Sequence, residues 1–150
     1  MIWPFLLALL TMWVLFNWAA PFVTLLHAER ISHGRLPAEL LVWDDARRVK
    51  FYMSRLKRGY GFSIWAPPWS VVVFDKAFFS HASAPLVRYV VAHELAHFSL
   101  GHHRKRWFAV VTGTALLPPV RRWLRRMEDE ADAVAEHRTG YDRKQFRVLQ

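Results

Sequence analysis

The segment from Leu86 to Leu100 constrains the fold most, because it is apolar almost throughout but has metal-binding side chains at its centre. Ser83-Ala84-Pro85 precedes it as a helix-start signal, so the segment is predicted to be a buried helix. His93, Glu94 and His97 interrupt the apolar pattern. Such groups are costly inside a buried helix unless they pair or bind a metal. The alternative is a polar stripe that faces solvent.

The two histidines are one helical turn apart and therefore share one face of the predicted helix. At this spacing both imidazoles can reach a single Zn²⁺ at about 2.0–2.1 Å. Glu94 follows His93 and is offset by about 100° around the helix axis. Its carboxylate is then placed to take a proton from a water on the metal. The five residues from His93 to His97 fit H-E-x-x-H, the zinc-peptidase signature.

A catalytic zinc usually has three protein ligands and one open position, so a third ligand is expected. Glu128 and Asp132 are again spaced i, i+4 and share a face of a second predicted helix. Glu128 would complete a His₂Glu site, and Asp132 would accept the N–H of a ligand imidazole. The alternative is an acidic helix N-terminus that follows a basic run and is stabilised by the helix dipole.

The two motifs, His-Glu-Leu-Ala-His and Glu-Asp-Glu-Ala-Asp, together resemble the H-E-x-x-H…E-x-x-A-D pair of the gluzincin peptidases. The likeness is greatest to the HtpX-like and CAAX-prenyl-protease-like membrane metallopeptidases and to the minigluzincins, and it covers about Trp65 to Arg138. His102 also fits a histidine common in that family. The resemblance implies zinc ligands, a general base and a partner for a ligand imidazole: His93, His97 and Glu128 as ligands, Glu94 as base, and Asp132 as partner.

A rival third ligand is His103, six residues after His97. In this respect the chain looks like the small intracellular H-E-x-x-H…H proteins, whose third ligand is a histidine just past the helix. Gly101 is a stop signal that would let the chain turn there. Glu128 is preferred, because the acidic motif matches in both of its functional positions.

Composition limits the possible ligands and partners. The chain of 150 residues has no cysteine, so zinc must be held by histidine and carboxylate. The net charge of +9 favours an anionic partner surface, either lipid or nucleic acid. Eight tryptophans and eleven phenylalanines favour membrane lipid, and no nucleic-acid partner is expected. The oligomeric state is not predicted.

Residues 1–26 carry no charged side chain and, at about 1.5 Å per residue, are long enough to cross a bilayer. We predict a transmembrane anchor over 1–26 and a zinc metallopeptidase domain over 27–150. A cleavable signal peptide is the alternative, although a basic leading region is absent. Basic residues follow the segment, so the positive-inside rule predicts a single-pass protein with a cytoplasmic catalytic domain.

The remaining patterns predict an α+β fold that is mostly helical with a small β-sheet, and the resemblance implies that this is a zincin-like domain. Residues 37–58 have apolar side chains at helical spacing and are predicted as one amphipathic helix. Residues 60–65 and 70–74 are predicted as short strands, and the resemblance implies that an edge strand before the metal helix lines the cleft. Residues 107–120 are apolar but too short to span a bilayer, which predicts a shallow dip, an interfacial segment or a buried connection ended by Pro118-Pro119. The alternative is a core helix of the domain.

The predicted function is that of a membrane-anchored zinc endopeptidase that acts on a peptide or protein substrate. His137 and Tyr141 are candidates for a second donor to the tetrahedral oxyanion, and His137 is predicted to be catalytic together with Glu94. The alternative for His137 is an exposed residue at a helix end. The alternative is a basic membrane- or nucleic-acid-binding protein whose metal site is structural or vacant.

Overall fold

The computed structural model describes residues 2–31, 36, 43–56, 60–66, 69–142 and 144–145. These residues form six helices and four strands, with a short 3₁₀ turn at Thr114–Leu116. In chain order the elements are α1 (Ile2–Leu26), β1 (Glu29–Arg30), α2 (Asp44–Arg48), β2 (Val49–Ser54), β3 (Gly61–Ala66), β4 (Trp69–Asp75), α3 (Lys76–His81), α4 (Ala84–Ser99), α5 (His102–Val111) and α6 (Pro118–Thr139). The predicted α+β class, mostly helical with a small sheet, is confirmed.

The four strands form one mixed sheet in the order β1-β2-β4-β3. β4 pairs parallel with β2 and antiparallel with β3, with Gly61 opposite Phe74. The run from Val71 to Phe74 is at most 1% exposed, which is typical of a strand covered on both faces. A Cβ on Gly61 would lie 2.9 Å from the Phe74 ring, so only glycine allows this approach.

Two strand predictions need correction or refinement. Both strands predicted on either side of Pro67-Pro68 exist, as β3 and β4, and residues 67–68 lie outside the described residues. The strand that leads towards the metal helix, β4, lies in the interior of the sheet and not at its edge. The edge strand on this side is β3, which packs against α4 and α5.

The single helix predicted over 37–58 is wrong. Residues 37–42 lie outside the described residues, α2 is only five residues long, and β2 follows it directly. Val49, Phe51 and Met53 are buried and alternate with half-buried residues, which is the period of a strand. Val49 and Met53 are four residues apart, a spacing that fits both the helical and the strand period. The pattern of apolar residues alone therefore favoured a helix where the structure has a strand.

The core lies between the sheet and α4, and it extends to α6. The prediction of a buried helix over 86–100 is confirmed, since α4 carries Val91, Ala92, Leu95 and Ala96 at 0% exposure. The buried face of α6 packs along α4, and two of its members, Ala131 and Ala135, are also fully buried. These small side chains allow the two helices to approach closely.

The N-terminal helix exists, but the membrane prediction built on it fails. α1 packs against α5 and β3, and the Trp13 Nε1 atom donates to the Val111 carbonyl at 2.9 Å. Among the helices of the described residues, none combines the length and the apolar character that a bilayer crossing requires. The predicted single-pass localisation is therefore wrong, and the orientation derived from it loses its basis.

The apolar stretch 107–120 is divided among three elements. Its first part ends α5, the 3₁₀ turn follows Gly113, and Pro118 begins α6. Gly113 has a φ of 70°, in the left-handed region that favours glycine. Pro118 and Pro119 occupy the first turn of α6, where proline is common because its missing N–H has no partner to lose.

Candidate metal centre

Helix α4 places the two motif histidines beside each other. Their Nε2 atoms are 3.2 Å apart, and the rings are almost perpendicular, at 86°. His97 is 2% exposed, while the side chain of His93 is 16% exposed at the mouth of the site. Two imidazole nitrogens at this distance can share one hydrogen bond or bind one metal ion.

Helix α6 packs along α4 and supplies a carboxylate at the point where these two nitrogens meet. The Glu128 Oε2 atom is 3.4 Å from the Nε2 atom of His93 and 3.6 Å from that of His97. Two ligands about 2.05 Å from a tetrahedral zinc lie about 3.3 Å apart. The three separations of 3.2, 3.4 and 3.6 Å match this value. Within the described residues, the three side chains form the group that can hold a metal ion, and their N₂O donor set suits zinc.

Asp132 lies one turn after Glu128, behind the first histidine. Its Oδ1 atom is 2.8 Å from His93 Nδ1 and accepts a hydrogen bond from the Tyr89 hydroxyl at 3.0 Å. Asp132 is only 8% exposed. This contact on Nδ1 leaves the Nε2 atom of His93 facing the shared point, as expected for a partner of a metal ligand.

The charges around this point are strongly coupled. Burial opposes a proton on His93, but Asp132 and Glu128 outweigh it and raise the pKa of His93 to about 9. Burial also opposes the charge on Glu128, yet both histidines and Arg106 lower the pKa of this carboxyl overall. A cation that enters the site must therefore displace a proton from His93.

Glu94 is a buried residue of α4, 7% exposed. Burial raises the pKa of its carboxyl above the ordinary value, and the neighbouring histidines oppose that shift. A glutamate with a raised pKa next to a metal-binding cluster is suited to accept a proton and return it.

The carboxylate of Glu128 is held from two sides. One oxygen faces the histidines, and the other accepts a hydrogen bond from the Arg106 guanidinium, which α5 provides. The side chain of Arg106 is 37% exposed. This contact fixes which oxygen is presented to the metal position.

The second histidine has its own chain of partners. The Nδ1 atom of His97 is 3.0 Å from the Nδ1 atom of His102, and His102 Nε2 is 3.1 Å from the Glu130 carboxylate. Burial lowers the pKa of His102, which is 1% exposed. His102 is thus a neutral ring between a metal-binding imidazole and a carboxylate.

The other candidate residues have different surroundings. His103 packs its ring against Phe98 at 4.5 Å, and its Nδ1 atom is 3.2 Å from the His97 carbonyl oxygen. It is not part of the metal-binding group among the described residues. His137 is exposed near the end of α6, about 14 Å along the axis from Glu128. Tyr141 packs at the border of the core. A catalytic role for His137 stays a prediction.

Three residues of the site were not found from the sequence: Tyr89, Arg106 and Glu130. Tyr89 lies four residues before His93, one helical turn away on the same face, so its spacing was a usable signal. Arg106 and Glu130 had no such signal in the sequence, because their contacts depend on how α5 packs against α4 and α6.

Comparison with protein families gives a match over about a third of the chain. The family model for the YgjP-like metallopeptidase domain matches residues 77–130. This match supports a zinc metallopeptidase. It includes both His103 and Glu128, so it does not choose between them, and Asp132 lies just beyond it. It does not confirm the specific likeness to HtpX-like and CAAX-prenyl-protease-like peptidases. No curated protein matches the chain.

Proposed function

We propose that this chain is a zinc-dependent endopeptidase in which His93, His97 and Glu128 hold the metal. One observation carries the proposal: the three ligand atoms are separated by the edge lengths of a tetrahedral zinc site. The match to a metallopeptidase domain supports the same reaction class.

Glu94 is the general base of the proposed reaction. Zinc, when bound, supplies Lewis-acid polarisation and lowers the pKa of water. The Glu94 carboxylate accepts a proton from the attacking water and returns it to the leaving amine as the peptide bond breaks. Glu94 is 7% exposed, and the raised pKa of its carboxyl favours acceptance of the proton from the attacking water.

The outer edge of β3 is the proposed binding site for the substrate backbone. β3 is the last strand of the sheet and packs against α4, which carries Glu94. An extended peptide can add to such an edge through main-chain hydrogen bonds. This mode does not require a free peptide terminus, so internal bonds are the expected targets.

The test replaces Glu94 by glutamine. Glu94→Gln is expected to bind zinc normally and to cleave an unfolded casein substrate at least about 100-fold more slowly. Asp129→Asn is the matched control, since it makes the same carboxylate-to-amide change at an exposed position of α6. Normal cleavage by Glu94→Gln, or cleavage by wild type that a chelator leaves unchanged, would refute the proposed reaction.

A second proposal concerns membrane lipid as a partner. A groove of about 600 Å³ lies between α5 and the start of α6, and its lining includes Phe108 and Trp123, which are 64% and 40% exposed. Arg104 and Lys105 lie at the same groove, and further exposed arginines follow on α6. Exposed aromatic rings surrounded by cations favour an anionic lipid surface. The contact proposed is peripheral.

Co-sedimentation with vesicles tests this second proposal. Binding to vesicles that contain phosphatidylserine, with little binding to pure phosphatidylcholine, is expected, and Phe108→Ser with Trp123→Ser should abolish it. Equal binding to both vesicle types, or unchanged binding by the double variant, would contradict the proposal. Zinc binding serves as the control for correct folding of the variant.

A further inference from the structure

The Nδ1 atom of His97 faces another histidine nitrogen, which restricts where its proton can lie. The two Nδ1 atoms, of His97 and His102, are 3.0 Å apart, so one must donate and the other accept. A neutral imidazole has one protonated and one unprotonated nitrogen. The pair therefore has a direction, and the neighbours of the two rings determine which direction it takes.

The far nitrogen of His102 decides the direction. His102 Nε2 is 3.1 Å from the Glu130 carboxylate, which only accepts hydrogen bonds when ionised. The proton of His102 must then be on Nε2, which leaves Nδ1 as an acceptor. His97 consequently donates from Nδ1, and its Nε2 atom is left unprotonated, 3.2 Å from His93 Nε2 and 3.6 Å from the Glu128 carboxylate.

We propose that His102 and Glu130 are positioning residues that hold His97 in the tautomer able to bind the metal. The proposal deepens the proposed function, since it rests on the metal site of the peptidase. Asp132 acts in the same way on His93, at 2.8 Å, so each imidazole has its own orienting partner. The two partners differ in kind. His93 contacts the buried carboxylate of Asp132 directly, whereas His97 contacts His102, which in turn contacts the Glu130 carboxylate.

The two positioning residues are expected to contribute unequally. His102 is 1% exposed and touches the metal-binding ring directly. The Glu130 side chain is 60% exposed, so water competes for its hydrogen bond to His102. Loss of an orienting partner typically weakens metal binding by about 10–100-fold. We expect His102 variants to fall in this range and Glu130→Gln to weaken binding only a few-fold.

The first experiment reads the tautomers directly. Long-range ¹H–¹⁵N correlation spectra of the metal-free protein, labelled on histidine, should show His97 protonated at Nδ1 and His102 protonated at Nε2. Glu130→Gln should shift the His102 signals, while Asp129→Asn, the same kind of change one residue away, should leave them unchanged. A spectrum with His102 protonated at Nδ1 would overturn the proposal.

The second experiment measures zinc affinity by competition with a chromophoric chelator. His102→Leu fills space without an acceptor and should lose about 10–100-fold in affinity. His102→Asn can present its amide oxygen to His97 and should recover most of that loss. If both variants fold and bind zinc as tightly as wild type, the positioning role is excluded. Neither readout depends on proteolysis, so failure of the peptidase assay would overturn the reaction while leaving this inference standing.

Discussion

The choice of Glu128 as third ligand makes a sharp prediction about zinc affinity. Glu128→Asp shortens the side chain by one methylene, which withdraws the oxygen by about 1.5 Å. In the native chain that oxygen is 3.4 and 3.6 Å from the two imidazole nitrogens, which leaves no spare reach. A metal–ligand distance tolerates an error of only about 0.2 Å. The shortened carboxylate is therefore expected to lose direct coordination.

The expected loss of zinc affinity follows from the binding free energy that one ligand contributes. Apparent binding free energies of structural zinc sites are about 10–16 kcal/mol for about four ligands, or about 2.5–4 kcal/mol for each. Removal of one ligand should thus weaken binding roughly 100- to 1000-fold. Glu128→Ala should show the full effect, and Glu128→Asp most of it.

His103→Phe is the matched variant for the competing assignment. It keeps a ring against Phe98 but has no ligand atom, and its affinity for zinc should stay within a few-fold of wild type. Competition with a chromophoric chelator gives the dissociation constants, and circular dichroism of the metal-free proteins checks that each variant folds. If His103→Phe lost zinc while both Glu128 variants kept it, the geometric reasoning would be refuted.

Three further predictions concern the surroundings of the site and the fold that supports it. Asp132→Asn should weaken zinc binding by about 10–100-fold in the chelator assay, because it leaves His93 without its anionic partner, and unchanged affinity would contradict this. Because the pKa of His93 is raised from 6.5 to about 9, protonation of His93 should stabilise the folded metal-free protein. This contribution to the free energy of unfolding should be fully present below pH 6.5 and lost as the pH rises through 9. Urea unfolding in the presence of a chelator measures how the free energy of unfolding changes with pH, and this dependence should disappear between pH 6.5 and 9 in His93→Gln. Asp75 caps α3, since its carboxylate accepts hydrogen bonds from the Phe78 N–H and the Leu56 N–H. Asp75→Ala should lower the free energy of unfolding in urea by about 1–2 kcal/mol. A smaller change would contradict the role of the cap.

The residues at the centre of the candidate site could be selected from the sequence because their signals are local. His93 and His97 are fixed relative to each other by helical spacing alone, once Leu86–Leu100 is recognised as a buried helix. Glu128 and Asp132 required one further step, the pairing of two motifs whose first residues are about 35 positions apart, and the structure places both beside His93.

The parts that failed depend on contacts between distant segments. Val49 and Met53 fit both a helical and a strand period, and the pairing of residues 49–54 with β4 decides for the strand. Arg106 reaches Glu128 because Gly101, with a φ of 68°, turns the chain sharply between α4 and α5. Nothing in the local pattern of either residue indicates that contact.

The alanines between α4 and α6 have a consequence for ion binding. Ala96 on one helix and Ala131 on the other are fully buried, and helix axes separate by about 8–10 Å according to the side chains at their contact. Leucine at position 131 would push the helices apart by more than the roughly 0.2 Å that coordination tolerates. Metal affinity is therefore expected to depend in part on the size of side chains that are not ligands, because they limit how closely the two helices approach.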